Sequence, residues 1–185
     1  MAEMTEMRLD DYRALVEQVM LDCIAEGEDS SSRLFENSGE AHAAIVTNTM
    51  LTSARNRVSI YSGQLTKTVW NSDAIRDVVR RVPSASISVL VDDCDNASES
   101  AIADLQDLVA SGQITVRQLG RESNLKHFCV VDGRHVRFER EASSRKAIVA
   151  FGSRELALPA TELFDSLWAD AGPVDLKGCS LPAAR

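Results

Sequence analysis

The sequence predicts a mixed α/β fold in which a largely parallel sheet is flanked by helices. The first observation is the order of its apolar segments. Three short apolar runs, at 57–61, 86–91 and 114–119, alternate with helix-forming segments at 73–82 and 98–111. A strand–helix–strand–helix–strand order builds parallel strands that are joined by right-handed crossovers.

The second observation is a tighter pattern that follows these crossovers. Residues 126–131 and 134–140 flank the pair Asp132-Gly133. An Asp-Gly pair between two apolar runs is typical of a two-residue hairpin, in which both turn residues take positive φ. A further strand at 146–151 and a last helix at 160–171 complete the sheet and its cover.

The N-terminal part adds a helix to this core. Residues 9–26 place apolar side chains at three- and four-residue spacing, which is typical of an amphipathic helix. We therefore divide the chain into a helical extension at 1–38 that packs on the core, an α/β domain at 39–171, and a flexible tail at 172–185. The sequence shows no internal repeat, so any two-lobed assembly would need two chains.

Composition sets limits on function. The chain has 185 residues, 26% of them charged, with a formal net charge of −8. This acidity argues against a protein that coats nucleic acid through bulk attraction. The polar start of the chain does not have the pattern of a signal peptide, no apolar run reaches the ~20 residues of a membrane span, and the four cysteines form no CxxC pair. We expect a cytoplasmic protein with free thiols, no membrane contact, no metal and no cofactor.

Four features in order carry a resemblance to a known family. These are a strand ending in Ser62-Gly63, the βαβαβ unit, a strand closing in Val-Val-Asp-Gly at 130–133, and the helix Leu-Phe-Asp-Ser-Leu-Trp at 163–168. Together they resemble the phospholipase D-like superfamily over residues 45–171. The resemblance implies a single half of that fold. It also implies a signature of His, any residue, Lys, four residues and Asp, in which the His attacks phosphorus and the Lys stabilises the phosphate oxygens.

The catalytic pair of this signature is missing here. With Asp132 at the Asp position, Leu125 stands at the His position and His127 at the Lys position. Shifting the register by two residues puts Cys129 where the Lys should be, so it restores nothing. The family also places a Ser or Asn after the hairpin to bind phosphate, and the segment here offers Ser144 without a glycine-rich turn. The resemblance therefore implies a catalytically degenerate domain that keeps Asp132 as a structural residue.

His127 has two interpretations. It could lie in the cleft and act as a catalytic or ligand-binding residue, with Cys129 on the same strand face. It could equally be a core histidine that a neighbouring carbonyl satisfies. Asp92 and the acidic residues after it could hold Mg²⁺ beside a phosphate, or could simply form a polar loop before the next helix. Ser62, at the end of its strand, is a further binding candidate.

Basic residues are concentrated at 117–146, within an otherwise acidic chain. Arg134 and Arg137 are the candidates there for contact with a nucleic-acid backbone or an acidic partner, although an ordinary solvated hairpin face explains the pattern as well. His42 and His135 have no partner pattern and are expected on the surface. The basic residues are Arg117, Arg121, Lys126, Arg134, Arg137, Arg140, Arg145 and Lys146.

Three functions follow as hypotheses. The favoured one is a non-enzymatic binding or regulatory module, which the resemblance places among accessory bacterial proteins linked to nucleic-acid handling or defence. The alternative is an active phosphodiesterase or nuclease that uses His127 from two protomers of a homodimer. The third is sequence-independent DNA binding through residues 117–146, which the net charge does not favour. We expect a homodimer, because one half of the fold leaves the cleft face uncovered, and a protein partner could bind the N-terminal helix.

Overall fold

The computed structural model describes residues 7–27, 32–63, 65–92, 100–120, 124–141 and 143–174. Within them the chain forms one mixed sheet covered by helices on both faces. The helices are α1 (Leu9–Glu26), α2 (Glu40–Ser53), α3 (Ser72–Arg81), α4 (Gln106–Ala110, preceded by a 3₁₀ turn at Ala101–Leu105) and α5 (Arg154–Asp170). The strands are β1 (Arg33–Asn37), β2 (Arg57–Tyr61), β3 (Ser86–Val91), β4 (Ile114–Gln118), β5 (Phe128–Val131), β6 (His135–Glu141), β7 (Lys146–Phe151) and β8 (Gly172–Pro173).

The order of the strands is β1-β7-β6-β5-β2-β3-β4-β8. Strands β2, β3 and β4 are parallel, as their crossovers predict. All other neighbouring pairs are antiparallel, including β5 against β2 in the middle of the sheet. The predicted α/β class with a mixed sheet is therefore confirmed.

Two apolar layers, one on each face of the sheet, form the core. Helices α1 to α4 cover one face, where α1 buries Tyr12, Val16, Met20 and Cys23. Helix α5 covers the other face and buries Phe164 against the sheet. Each strand supplies both layers because successive side chains point to opposite faces.

The central hairpin makes the predicted turn at Asp132 and Gly133, but its loop has three residues, 132–134, because Val131 pairs with His135. Asp132 has φ 52° and Gly133 has φ 64°, the two positive values that a type I′ turn requires. Helix α5 begins six residues before the prediction, at Arg154. Its start is fixed by Ser153, whose hydroxyl accepts a hydrogen bond from the Leu156 N–H at 3.2 Å.

The structure differs from the sequence predictions at both ends of the sheet. Residues 33–37, which we assigned to a helical extension, form the edge strand β1 and pair with β7. Residues 172–173, which we assigned to a loose tail, pair with β4 as β8. Both segments are too short for a strand pattern to show in the sequence. The rest of the predicted tail, 175–185, lies outside the described residues.

His135 is also not where the sequence places it. We expected a surface residue, but the side chain is buried, with a residue exposure of 4%. Its Nδ1 accepts a hydrogen bond from the Gly152 N–H at 3.2 Å, and its ring packs edge-on against Phe151. Burial lowers the pKa of His135 to about 4, so the imidazole is neutral in the folded protein at pH 7.

Candidate functional site

The candidate site lies where β2 and β3 end and β5 begins. A methyl group built on Gly63 would stand 3.1 Å from His127 Nε2 and 3.5 Å from Asp92 Oδ2, so both side chains face the same point. The Tyr61 hydroxyl donates a hydrogen bond to Asp92 Oδ1 at 2.6 Å, and its ring lies edge-on to His127. Glycine at position 63 leaves the space that the imidazole occupies.

Glu139 of β6 holds the imidazole from the other side. His127 Nδ1 lies 2.8 Å from Glu139 Oε2, and the Glu139 backbone N–H donates to the His127 carbonyl at 2.8 Å. The Glu139 side chain is 2% exposed and that of His127 is 24% exposed. This contact orients the imidazole so that Nε2 is directed toward Gly63.

Two arginines balance the charge of Glu139 at its other carboxylate oxygen, Oε1. Arg137 Nη2 lies 3.5 Å and Arg145 Nη1 lies 3.8 Å from Glu139 Oε1. Arg137 also donates from Nε to Asn37 Oδ1 at 3.1 Å. Burial raises the pKa of the Glu139 carboxyl, but the close approach of His127 and the charges of the two arginines outweigh it, so the pKa is lowered overall.

Asp132 has a structural role, at the opposite end of β5 from His127. Its carboxylate accepts hydrogen bonds from the backbone N–H groups of Arg55, Asn56 and Arg57, each at 2.8 Å. These three groups form the turn that leads from α2 into β2. Asp132 therefore fixes the entry of the central strand against the hairpin.

The other predicted site residues take different positions. Ser62 is buried and its hydroxyl accepts from the Leu65 N–H at 3.3 Å. Ser144 lies in the β6–β7 turn, at the same end of the sheet as His127, and its hydroxyl donates to Glu141 at 2.7 Å. Leu125 is 38% exposed and lies two residues before His127. The structure thus brings His127, Ser62 and Ser144 to one end of the sheet, where the Ser144 hydroxyl is hydrogen-bonded to Glu141.

Arg134 and Arg137 both make internal contacts. Arg134, at the hairpin turn, donates to the Gly27 carbonyl at 2.5 Å, where it caps the C-terminus of α1. Arg137 is 2% exposed, so its burial argues against direct contact with a surface ligand.

Other basic side chains of the segment also have internal or acidic partners. Arg117 stacks on Trp168 with 4.7 Å from its guanidinium carbon to the ring centroid. Arg140 and Lys146 pair with Glu36 and Glu141. Arg121 lies outside the described residues. The basic bias of the sequence therefore does not translate into a continuous free cationic face in the described structure.

Sequence reasoning missed two members of the site. Glu139 belongs to a segment in which we considered only basic residues and a phosphate-binding serine, and the alternating Arg137-x-Glu139 on one strand face was its available signal. The link from Tyr61 to Asp92 had no signal, because it joins the ends of two separate strands. Asp93 and Asp95 lie outside the described residues. The described residues contain no cluster of three side chains suited to hold a metal ion.

Known structures share this architecture. The chain has a phospholipase D-like fold, as predicted. Nuc from Salmonella typhimurium, a phospholipase D family member, matches with a TM-score of 0.60 and 16% identity over 78% of this chain and 99% of Nuc. NucT from Helicobacter pylori matches with a TM-score of 0.60 and 13% identity over 78% of this chain and 100% of NucT.

A third structure covers more of the chain. TrmBL2, described as an archaeal chromatin protein with a novel mode of DNA binding, matches with a TM-score of 0.62 and 17% identity over 89% of this chain. The chain spans 63% of the length of TrmBL2. No protein-family sequence profile matches the chain, and no curated protein sequence does so significantly. No helix in the described residues has the length and apolarity that crossing a bilayer demands.

Proposed function

We propose that this chain is a binding or regulatory module built on a phospholipase D-like domain, and that it does not hydrolyse phosphodiesters. The observation that carries the proposal is the chemistry around His127. The position that the signature gives to a lysine holds an imidazole bound to Glu139, and the position of the nucleophile holds Leu125. Phosphoryl transfer requires fixed positive charge where the phosphate oxygens gain negative charge.

The charges of the site support this proposal. Asp92 Oδ2 and His127 Nε2 both face the space in front of Gly63, so a phosphate in that space would meet a carboxylate. Arg137 and Arg145 are directed to Glu139. The described residues of the site offer hydrogen-bond acceptors and no group of cations around a phosphate position. The site therefore suits the binding of a group that donates hydrogen bonds better than the stabilisation of a phosphorane.

The link to nucleic acid rests on the structural relatives. The Nuc and NucT folds and the DNA-binding TrmBL2 fold make DNA a reasonable ligand class for a module of this shape. TrmBL2 extends well beyond the part that this chain matches, so its DNA binding does not assign a surface here. An exposed residue such as Lys126 is the place to test contact, because Arg134 and Arg137 make internal contacts.

The second candidate function is an active phosphodiesterase in which His127 is the nucleophile. The Glu139–His127 pair favours it, because a carboxylate that holds Nδ1 leaves Nε2 oriented as a nucleophile or base. A homodimer would bring two such imidazoles to one cleft. The absence of a cation at the lysine position opposes this candidate.

Hydrolysis separates the two candidates. We expect no turnover of bis(p-nitrophenyl) phosphate and no plasmid nicking above the level of His127→Ala. Arg80→Ala, which removes an exposed cation on α3, is the matched control for contamination by another nuclease. Turnover that His127→Ala abolishes and Arg80→Ala retains would overturn the non-catalytic proposal and establish the second candidate.

Binding is tested by fluorescence anisotropy with a labelled duplex at several salt concentrations. A module that contacts DNA shows affinity that falls as salt rises, and Lys126→Glu lowers it further. Affinity that does not fall as salt rises would argue against contact with the DNA backbone, and no binding at any salt concentration would exclude duplex DNA and leave a protein partner.

A further inference from the structure

The outer edge of β1 has main-chain groups that face away from the sheet. Strand β1 pairs with β7 on one side, and no described strand lies on the other. The register of the sheet shows that odd-numbered residues of β1 bond to β7, because the Glu139 N–H donates to the His127 carbonyl and the pattern alternates from there through β6 and β7. The N–H and C=O groups of Leu34 and Glu36 therefore point outward, where a further strand could bond to them.

An apolar groove runs along this edge. It lies between α1 and β1, has a volume of about 310 Å³, and is lined by Leu15, Val19 and Phe35, among others. Leu15 is 42% exposed and Leu34 is 64% exposed. Outward main-chain groups beside a groove are the two elements that strand addition uses for affinity and for specificity.

The side of α1 that borders the groove is acidic. Asp11, Asp22 and Glu26 lie four residues before Leu15, seven after it and eleven after it, so all of them share one face of the helix with Leu15. All three acidic residues are exposed. Glu26 pairs with Arg33 of β1 at 2.9 Å, which shows that this face of α1 is turned toward the strand.

The excess of negative charge extends over the whole stretch that forms this edge. Residues 14–37 contain six acidic residues and one basic residue, counting Glu28 and Asp29 from the connection before β1. Arg140 of β6 adds a second cation, paired with Glu36 at 2.9 Å. A positively charged occupant is therefore favoured, whereas a second copy of the chain would bring the same acidic residues against each other.

Strand geometry then specifies the pattern of the occupant. Successive side chains of an added strand point to opposite faces of the sheet. On the face of α1, a lysine or arginine can lay its aliphatic stem over Leu15 and Val19 and place its charge beside Asp11 or Asp22. Leu34 alternates with Phe35 and points to the other face, where its exposed side chain favours an apolar neighbour.

We propose that β1 binds an extended segment of a partner protein as an added strand, in which lysine or arginine alternates with apolar residues. Main-chain bonds to Leu34 and Glu36 supply affinity, and the acidic face of α1 selects the charge. This inference concerns a different surface from the His127 site. It goes beyond the proposed function and does not depend on it.

Fluorescence anisotropy of the full chain with three labelled octapeptides tests the proposal. The first peptide alternates lysine and valine. The second replaces each lysine by glutamate, and the third replaces each valine by proline, which keeps the charge and prevents strand pairing. We expect saturable binding of the lysine–valine peptide that weakens as salt rises, with an affinity at least about tenfold above that of the other two.

Three results of this assay would overturn the proposal. Equal binding of the lysine–proline peptide would show general attraction to an acidic surface without strand addition. Equal binding of the glutamate–valine peptide would show that the acidic face does not select charge. No saturable binding of the lysine–valine peptide up to about 1 mM would show that the edge does not accept such a segment.

Two variants locate the contact on the protein. Asp22→Lys reverses a charge at an exposed position and should weaken binding at least about fivefold. Leu34→Pro removes an outward N–H, leaves the bonds to β7 in place and should weaken binding at least about tenfold. Glu162→Lys, the same reversal of charge at an exposed residue of α5, is the matched control and should retain the parent affinity. Equal weakening by Asp22→Lys and Glu162→Lys would place the contact elsewhere, and this comparison decides even if Leu34→Pro fails to fold.

Hydrogen exchange supplies a measurement that needs no variant. In the chain alone the amides of Leu34 and Glu36 should exchange fast, and the lysine–valine peptide should protect them. The Phe35 amide, which bonds to β7, should change little and is the internal control. Slow exchange at Leu34 and Glu36 without the peptide would show that this edge is already covered, which would contradict the proposal.

Discussion

Replacement of Asp132 by asparagine tests whether this residue is a structural one. Its carboxylate accepts three backbone N–H groups at 2.8 Å, from Arg55, Asn56 and Arg57. Asparagine has almost the same shape and tolerates the positive φ of 52° at this position. It offers one oxygen instead of two and carries no charge, so the change isolates the hydrogen bonds.

The expected loss of stability follows from the geometry. Oδ1 holds two of the N–H groups and Oδ2 holds the one from Arg55, so the amide nitrogen must face one donor. A hydrogen bond to a charged group contributes about 1.5–3 kcal/mol, and the Arg55 N–H is accessible to water that can partly replace its bond. We expect the free energy of unfolding to fall by about 2 kcal/mol in total. For a chain of this size the Tm then falls by roughly 4–8 °C.

Urea unfolding followed by circular dichroism measures this change. Asp165→Asn is the matched control, because it makes the same chemical change at a carboxylate that pairs with the Arg57 side chain at the surface. An exposed pair of this kind contributes less than about 1 kcal/mol. If Asp132→Asn stays within about 0.5 kcal/mol of the parent, the three hydrogen bonds do not hold the strand entry as argued here.

Four other changes have expected outcomes that follow from the described contacts. Between pH 6.5 and 4 the unfolded chain protonates His135 while the folded chain does not, so acidification should lower the free energy of unfolding by up to about 3 kcal/mol. Urea unfolding at pH 7 and pH 4.5 should show a smaller loss for His135→Gln than for the parent. An equal loss in both proteins would contradict the buried, neutral state of His135. Glu139→Gln removes the counter-charge from a buried cluster and should destabilise the fold by about 3 kcal/mol, whereas a neutral outcome in urea unfolding would show that the pair is dispensable. Gly63→Ala should shift the side-chain ¹⁵N resonances of His127 at a stability cost of about 1 kcal/mol, and unchanged resonances would argue against the close approach. Tyr12→Phe should leave stability unchanged or raise it by up to about 1 kcal/mol in thermal unfolding, because the buried hydroxyl has no partner in the described structure, and a clear loss would reveal one.

The parts of the fold that the sequence predicts are those with a long local pattern. Strands β2, β3 and β7 have the predicted bounds, because each is a run of alternating or continuous apolar residues closed by polar ones. Strand β1 was missed because its sequence, Arg-Leu-Phe-Glu-Asn, is short and half exposed. Such a segment becomes a strand only because β7 offers it an edge, which is a long-range contact that no local pattern records.

Prediction of the site from sequence was limited in the same way. Counting from Asp132 places His127 next to the start of β5 and Leu125 two residues before it, since spacing along one strand is local information. Glu139 and Asp92 reach the imidazole from two other strands, so their contribution depends on the register of the sheet. The basic segment failed as a predictor for a related reason: sequence shows that the charges are present but does not show that Arg137 is buried and that Arg134 caps α1.

The residues at the three signature positions differ in how much each contributes to the fold. Asp132 accepts three backbone groups, so its loss would disturb the entry of the central strand whatever the protein does. The position of Leu125 is part exposed, and a change there costs the fold little. His127 lies between these cases, because it contacts Glu139 and also directs Nε2 toward Gly63. A domain of this fold can therefore keep the aspartate that fixes the strand entry while leucine and histidine stand at the two positions before the strand, which is the combination of residues in this chain.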